Sequence, residues 1–348
     1  MAQASEAFER ATQPKPLSDK DFLAAVLRKR GDLQEKVDSG KITPEFPTGG
    51  AAVTVILGDE VFKGARIPVA IPRVNLERRL LEHMMDCGLP FPEVTCFDEE
   101  AGFFGMTKTP GDSFYKKIPG MTPEELKNLA QEIARTVVGM AKAFTYEEAT
   151  DVFGLWKQYP RLKESQGFME DPKVQEALGG ALPACKRLAQ EYVDAFSKKK
   201  PVVMNVDVHT GNGFVDSLTN GLTGIIDFGD VRYCIPECVY MNALLNRFLP
   251  EDKSGYPEEF AKAFCAACTA GGVPMSYRHV VLQLFANDID WFQTAVSKNY
   301  KEDIAEALQK IKGVIKKLDE MEADTPAQSP VTQSHRQRTR SRKAALAH

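Results

Sequence analysis

The chain has 348 residues, with 44 Lys and Arg against 48 Asp and Glu, a formal charge of -4. Hydrophobic residues make up 43% and charged residues 26%, a globular balance that excludes disorder of the whole chain. Near-neutral charge offers no bulk electrostatic footprint for nucleic acid, and no apolar run reaches the roughly 18 residues of a membrane span. The opening segment, with Glu6 and Glu9, lacks an apolar signal core, so a cytoplasmic protein without membrane or nucleic-acid partners is expected. Seven cysteines at irregular spacing argue against a disulfide framework. Cys234/Cys238 and Cys265/Cys268 could supply four thiolates to zinc. The second pair, however, lies in an apolar helical pattern from Phe260 to Cys268 with no turn glycine between the thiols, and reduced cysteines in a helix are the preferred reading.

In chain order, residues 1–17 are polar and hold Pro14 and Pro16, a flexible arm. Ser18-Asp19-Lys20-Asp21 reads as a helix start before Phe22, Leu23, Val26 and Leu27, whose spacing predicts an amphipathic helix to Arg30. Ala51 to Leu57, Gly58-Asp59-Glu60 and Val61-Phe62-Lys63 predict strand, tight turn, strand. Leu76, Leu80, Leu81, Met84 and Met85 mark a helix over 75–86, closed by Gly88 and Pro90. Two short strands follow, at Glu93 to Phe97 and Gly102 to Thr107. After the break at Pro110-Gly111 the pattern turns helical, with Thr122-Pro123-Glu124-Glu125 as a capped start and Leu126, Leu129, Ile133, Val137 and Met140 on one face. Further helices are expected over about 183–197, 237–248, 257–270, 278–296 and 301–320. They are interrupted by extended segments at Val202 to Met204, Gly213 to Asp216 and Thr223 to Phe228, with Asn220-Gly221 as a turn dipeptide. Residues 322–348 read as a disordered basic tail carrying Arg336, Arg338, Arg340, Arg342 and Lys343, either solvated or an address for a polyanion.

The chemistry concentrates around that hairpin. Asp207 and Asn212 precede it, Asp227 and Asp230 close it, and antiparallel pairing brings its ends together. Carboxylates so gathered repel unless a cation sits between them, and an oxygen-only donor set suits Mg2+. Taken singly, each Asp could equally be a turn or cap residue.

The order Asp207, Asn212, hairpin, Ile226-Asp227-Phe228-Gly229-Asp230 is that of protein-kinase-like phosphotransferases. Gly224 to Asp230 in particular resembles the aminoglycoside phosphotransferase and choline kinase-like family, whose catalytic loop commonly reads His-x-Asp-x-His-x-x-Asn. Asp207, His209 and Asn212 fall on that loop. Val61-Phe62-Lys63 looks like the strand carrying the nucleotide-pairing lysine, Glu77 like its glutamate partner, Leu89 to Val94 like the segment leading to the next strand, and Gly105 to Gly111 like the hinge. The likeness covers about residues 18–300 and is stronger in the carboxyl-terminal half.

The resemblance implies a bilobal α+β fold of the protein-kinase type, with a small antiparallel-sheet lobe over 18–107 and a larger helical lobe over 108–321. It implies ATP or GTP and Mg2+ as cofactors and a small-molecule hydroxyl acceptor as partner, with the oligomeric state open. Asp207 would accept the acceptor's proton, Asn212 and Asp227 would hold Mg2+, and Lys63, steadied by Glu77, would contact the phosphates, with Gly49 and Gly50 as the phosphate loop. A solvated Lys63 is the bland alternative, as is Glu82 in place of Glu77, with Arg78 and Arg79 satisfying either glutamate. The chain departs from the family at Asn205, where His is usual; a residue there is expected mainly to hydrogen-bond, and Asn can also donate and accept. His209 is expected to be structural. Asp230, Asp288 and Trp291 are the candidate substrate residues, Asp288 and Trp291 sharing a helical face on which a carboxylate and an indole could hold an amine. A core Trp291 and solvated Asp residues are the alternative; Glu237 and the pair Glu251-Asp252 offer further negative charge, but Lys253 directly follows the pair, and a solvated surface turn is the preferred reading. An amine-bearing acceptor of aminoglycoside type leads, ahead of a choline- or ethanolamine-type kinase and of a degenerate kinase fold that binds without catalysis. A protein kinase is disfavoured because Val231 to Val239 leaves little room for an activation segment.

Overall fold

The computed structural model describes residues 17–47, 52–155, 157–158, 169–208, 211–240 and 258–323. Gly49, Gly50, His209, Glu251, Asp252, Lys253, most of the helix expected over 237–248, most of the arm and nearly all of the basic tail lie outside them.

The capped start at Ser18 forms helix α1, Asp19–Lys29, the Ser18 hydroxyl accepting from Asp21 N; a second helix, α2, Gly31–Asp38, follows without having been expected. Strands β1, Ala52–Leu57, and β2, Glu60–Ala65, come next, then helix α3, Ile71–Met84, and strands β3, Val94–Asp98, and β4, Phe103–Thr107. The four strands make one antiparallel sheet in the order β1-β2-β4-β3. Because side chains alternate along a strand, the sheet has two committed faces. Val53, Val55, Leu57 and Phe62 point to α1 and α2, where Phe22, Val26 and Leu33 close a separate small core. Gly64 lies so close beneath Phe22 that a Cβ would come within 2.6 Å of its ring. The opposite face carries Val61 and, two residues on, Lys63, and meets α3 through Val74, Leu80, Leu81 and Met84. The inserted helix thus covers the face on which the lysine stands.

Past the hinge, β5, Asp112–Ser113, leads through one helical turn to α4, Pro123–Lys142, which begins with the full Thr122–Glu125 capping box. Leu126, Leu129, Ile133, Val137 and Met140 are buried as their spacing requires. A two-residue strand β6, Lys157–Gln158, and helices α5, Pro172–Leu178, and α6, Leu182–Phe196, precede strands β7, Val202–Asn205, β8, Gly213–Val215, β9, Leu222–Ile225, and β10, Val231–Cys234. Helices α7, Glu258–Ala270, α8, Tyr277–Lys298, and α9, Lys301–Ala323, complete the larger lobe, α4 packing on α7 and α8 on α9 and α6. Its core is continuous from α4 to α9. The seven thiols are free, with Cys265 and Cys268 buried on α7, and among the described residues no group of three or more His, Cys, Asp or Glu could hold a metal ion.

Two small sheets sit at the junction. β8 and β9 form the expected hairpin, with β5 as a third strand, while β7 pairs with β10 rather than with the hairpin. The hairpin loop spans 216–221, longer than Asn220-Gly221 alone, because the Asp216 carboxylate accepts from Leu218 N and Thr219 N and organises a wider turn.

Candidate active site

Three charged residues from three elements meet between the lobes. Lys63 Nζ lies 2.6 Å from Glu77 Oε2 on α3 and 3.0 Å from Asp227 Oδ1, after β9. Glu77 is 1% exposed, and its other oxygen accepts from Phe228 N at 3.2 Å. The rival Glu82 is taken by Arg78 at 2.6 Å on the helix surface. Burial works against the Lys63 charge, yet Glu77 and Asp227 outweigh it and hold its pKa above the ordinary lysine value. Burial pushes Glu77 above the usual carboxylate range, Asp227 adds to this, and Lys63 opposes without cancelling it. For Asp227 burial would also raise the pKa, but Lys63 prevails and holds it below its ordinary value.

Asp227 has φ 62 and ψ 77, a left-handed conformation uncommon for a residue with a Cβ. Strain of this kind, of order 1–3 kcal/mol, persists where the surroundings over-determine it. Here Lys63 fixes the carboxylate, Glu77 the following N–H, and Asn205 the carbonyl: Asn205 Nδ2 donates to Asp227 O at 2.9 Å. The same Asn205 accepts from Asp207 N at 3.0 Å, so one buried amide joins the Asp207 loop to the Asp227 turn. Asn212 closes the loop from its far end, donating from Nδ2 to Asp207 O at 2.9 Å while its own carbonyl accepts from Ile226 N. Phe91 meets Phe228 edge-on, ring centroids 4.6 Å apart, and packs the segment after α3 against the same turn.

The structure therefore brings together Lys63, Glu77, Asn205, Asp207, Asn212 and Asp227. Asp230 adjoins them, but both of its oxygens face arginine: Oδ2 pairs with Arg73 of α3 and Oδ1 with Arg232 at 2.7 Å. Neither arginine was singled out in the sequence, although Arg73 stands four residues before Glu77 and so on the same helical face. Asp288 and Trp291 lie on α8, whose Phe285 and Phe292 are fully buried while Trp291 is 46% exposed, so its indole is a surface feature and not part of the core.

Residues 46–271 match the model of the APH phosphotransferase enzyme family. The chain belongs to that family. The fold agrees with it: wild-type aminoglycoside 2'-phosphotransferase-IIIa in its GDP complex superposes with a TM-score of 0.60 at 20% identity, covering 79% of this chain and 93% of that one. The streptomycin-ATP-APH(2")-IIa ternary complex gives 0.56 at 16%, covering 82% and 97%. A choline/ethanolamine kinase family protein from Mesorhizobium loti gives 0.51 at 11%, covering 82% and 89%. No curated protein matches the sequence significantly. The fold is thus the bilobal protein-kinase-like one, a small antiparallel-sheet lobe on a larger helical lobe. Asn205 makes a two-sided hydrogen bond that needs no titratable group.

The donor set also suits a magnesium ion. Asp227 offers a carboxylate held in its ionised form, and Asn212, whose Nδ2 is committed to Asp207 O, has its amide oxygen as the remaining donor. Two protein oxygens, with waters and phosphates completing the shell, are what Mg2+ commonly takes from a nucleotide site.

Proposed function

We propose that this protein is a Mg2+-dependent phosphotransferase that moves the γ-phosphate of ATP or GTP to a hydroxyl of a small, amine-bearing molecule. The observation that carries the reading is the Lys63–Glu77–Asp227 trio joined through Asn205 to Asp207. With Asn212, which holds Asp207 O, a cation from the small lobe, two candidate metal ligands and a candidate proton acceptor share one frame. Phosphoryl transfer asks for little else from a protein than position and charge neutralisation. Lys63 would meet the phosphates, Asn212 and Asp227 would hold Mg2+, which when bound neutralises phosphate charge, and Asp207 would orient the acceptor hydroxyl and take its proton. Gly49 and Gly50 are assigned to the phosphate loop by resemblance alone. Under this reading the lobes divide between 107 and 108, flanked by an arm at 1–17 and a tail at 322–348, and the protein works in the cytoplasm. Among the described residues no helix is long and apolar enough to cross a membrane.

The acceptor's amine would be received by Asp288 and Trp291. The exposed indole, three residues along the helix from Asp288, would also suit a quaternary or primary ammonium of the choline or ethanolamine kind through cation–π attraction.

The test is phosphate transfer from Mg·ATP and Mg·GTP to a panel of aminoglycosides, choline and ethanolamine, by wild type and by Asp207→Asn. A general base contributes roughly 10²–10⁴-fold, so the variant should lose about that much turnover while still binding Mg·nucleotide. Undiminished transfer by Asp207→Asn would remove Asp207 from the chemistry. Nucleotide binding without transfer to any of these acceptors would favour a binding protein over an enzyme acting on them.

A further inference from the structure

The turn Asp227 to Asp230 is tied to α3 at two points. Glu77 accepts from Phe228 N at one end, and Arg73, one helical turn earlier, pairs with the Asp230 carboxylate at the other. Gly229, between them, leaves room for this: a Cβ there would lie 2.6 Å from Arg73 Nε and 3.3 Å from Asp227 Oδ1. The guanidinium is therefore pressed against the turn beside Asp227.

Asp230 passes that hold onward. Its carbonyl accepts from Val206 N at 3.2 Å, one residue before Asp207, and its Oδ1 pairs with Arg232. Strand β10, which begins at the next residue, pairs with β7 so that Val231 stands opposite Asn205. A line of contacts runs from the small lobe through Arg73 and Asp230 to the strand pair that carries the Asp207 loop.

We propose that Arg73 is a positioning residue that, by gripping Asp230, makes closure of α3 on the larger lobe and placement of Asp207 a single event. The proposal rests on the reading of Asp207 given above. It also gives Asp230 a use other than reception of the acceptor's amine. The Arg73 side chain is 44% exposed, and ion pairs so open to water add little to global stability. Arg232 keeps the Asp230 charge compensated when Arg73 is lost, so Arg73→Ala should fold.

The test pairs hydrogen exchange on the nucleotide-free protein with steady-state transfer, using Arg73→Ala, Asp230→Asn and the double variant. In Arg73→Ala, amides of 206–208 and 228–231 should exchange about tenfold faster while α7 stays unchanged, since the opening is local. Turnover should fall about ten- to a hundredfold, as expected for a small misplacement of a reacting group, with the acceptor KM little changed. The double variant should be no worse than the weaker single one. Unchanged exchange in both segments, or losses that multiply in the double variant, would overturn the proposal. So would a raised acceptor KM in Asp230→Asn alone, which would return Asp230 to the amine. If wild type transfers no phosphate, the functional reading fails, and the exchange arm still decides whether Arg73 holds the turn.

Discussion

At the scale of single residues, Lys63 balances two carboxylates that differ in kind. Asp227, with its depressed pKa, contributes stability that is present above the ordinary carboxylate range and lost as pH falls through its folded value. Lys63, with its raised pKa, contributes stability that persists through neutrality and is lost only as pH climbs past the lysine range. Glu77 runs the other way: its folded pKa is raised, so ionising it as pH rises towards neutrality costs stability, a cost that Lys63 reduces without cancelling. Removing the cation strands both acids. Lys63→Met should therefore destabilise the protein most where both carboxyls must ionise, by about 3–5 kcal/mol at pH 8, a typical cost of breaking a buried pair. At pH 5 the loss should be smaller, because protonation relieves the stranded charge. Urea unfolding of both proteins at the two pH values measures the gap, and an equal gap at both would show that Lys63 does not balance these acids.

At the scale of elements, the hinge and the hairpin are fastened to each other, and this sets where Asn212 and Asp227 emerge. Thr223 Oγ1 donates to Pro110 O at 2.6 Å, and Ile225 N donates to Pro90 O at 3.1 Å. Gly111 has φ +95, and a Cβ there would stand 2.0 Å from Val215 O, a backbone atom that cannot yield cheaply. Gly111→Ala should cost more than about 1 kcal/mol through an incompatible backbone conformation. Gly120→Ala, where a Cβ would meet nothing within 4 Å and φ is ordinary, is the control and should leave the melting temperature nearly unchanged. Two equal melting temperatures would dissolve the claimed fastening. The same elements show what the sequence can express. The small sheet, α3, the capped α4 and the hairpin were legible because each announces itself within a few residues through alternation, 3.6-residue spacing, a capping box or turn chemistry. The pairing of β7 with β10 was not, because it joins short strands across the whole intervening hairpin and depends on tertiary context. In the site, Asp207, Asn212 and Asp227 stood out by their order around the hairpin, and Lys63 and Glu77 only through the resemblance to the family. Arg73 and Arg232 did not, since an arginine on a helix or strand surface has no local signature until its partner is known.

At the scale of the whole molecule, the space between the lobes is bounded by groups that no single lobe supplies. Lys63 belongs to the sheet of the small lobe and Asp227 to the larger one, and they touch at 3.0 Å. Under the proposed function a nucleotide would exchange this contact for phosphate against Lys63 and a metal ion against Asp227, so its binding energy would be spent across both lobes. A ligand that binds the folded state alone stabilises it by about 2.7 kcal/mol at a hundred times its dissociation constant. Thermal unfolding with Mg·ATP and with Mg·GTP should then show a shift that shrinks when EDTA removes the metal. Asp227→Asn should abolish the metal-dependent part, because an amide keeps the shape of the ligand and loses its charge. The variant's own stability without nucleotide is the reference, since the lost charge also unbalances Lys63. Comparison of the two nucleotides at equal concentration reads out the purine preference. A shift in Asp227→Asn as large and as metal-dependent as in wild type would mean that the cation is held elsewhere, and the assignment of Asn212 and Asp227 would fall with it.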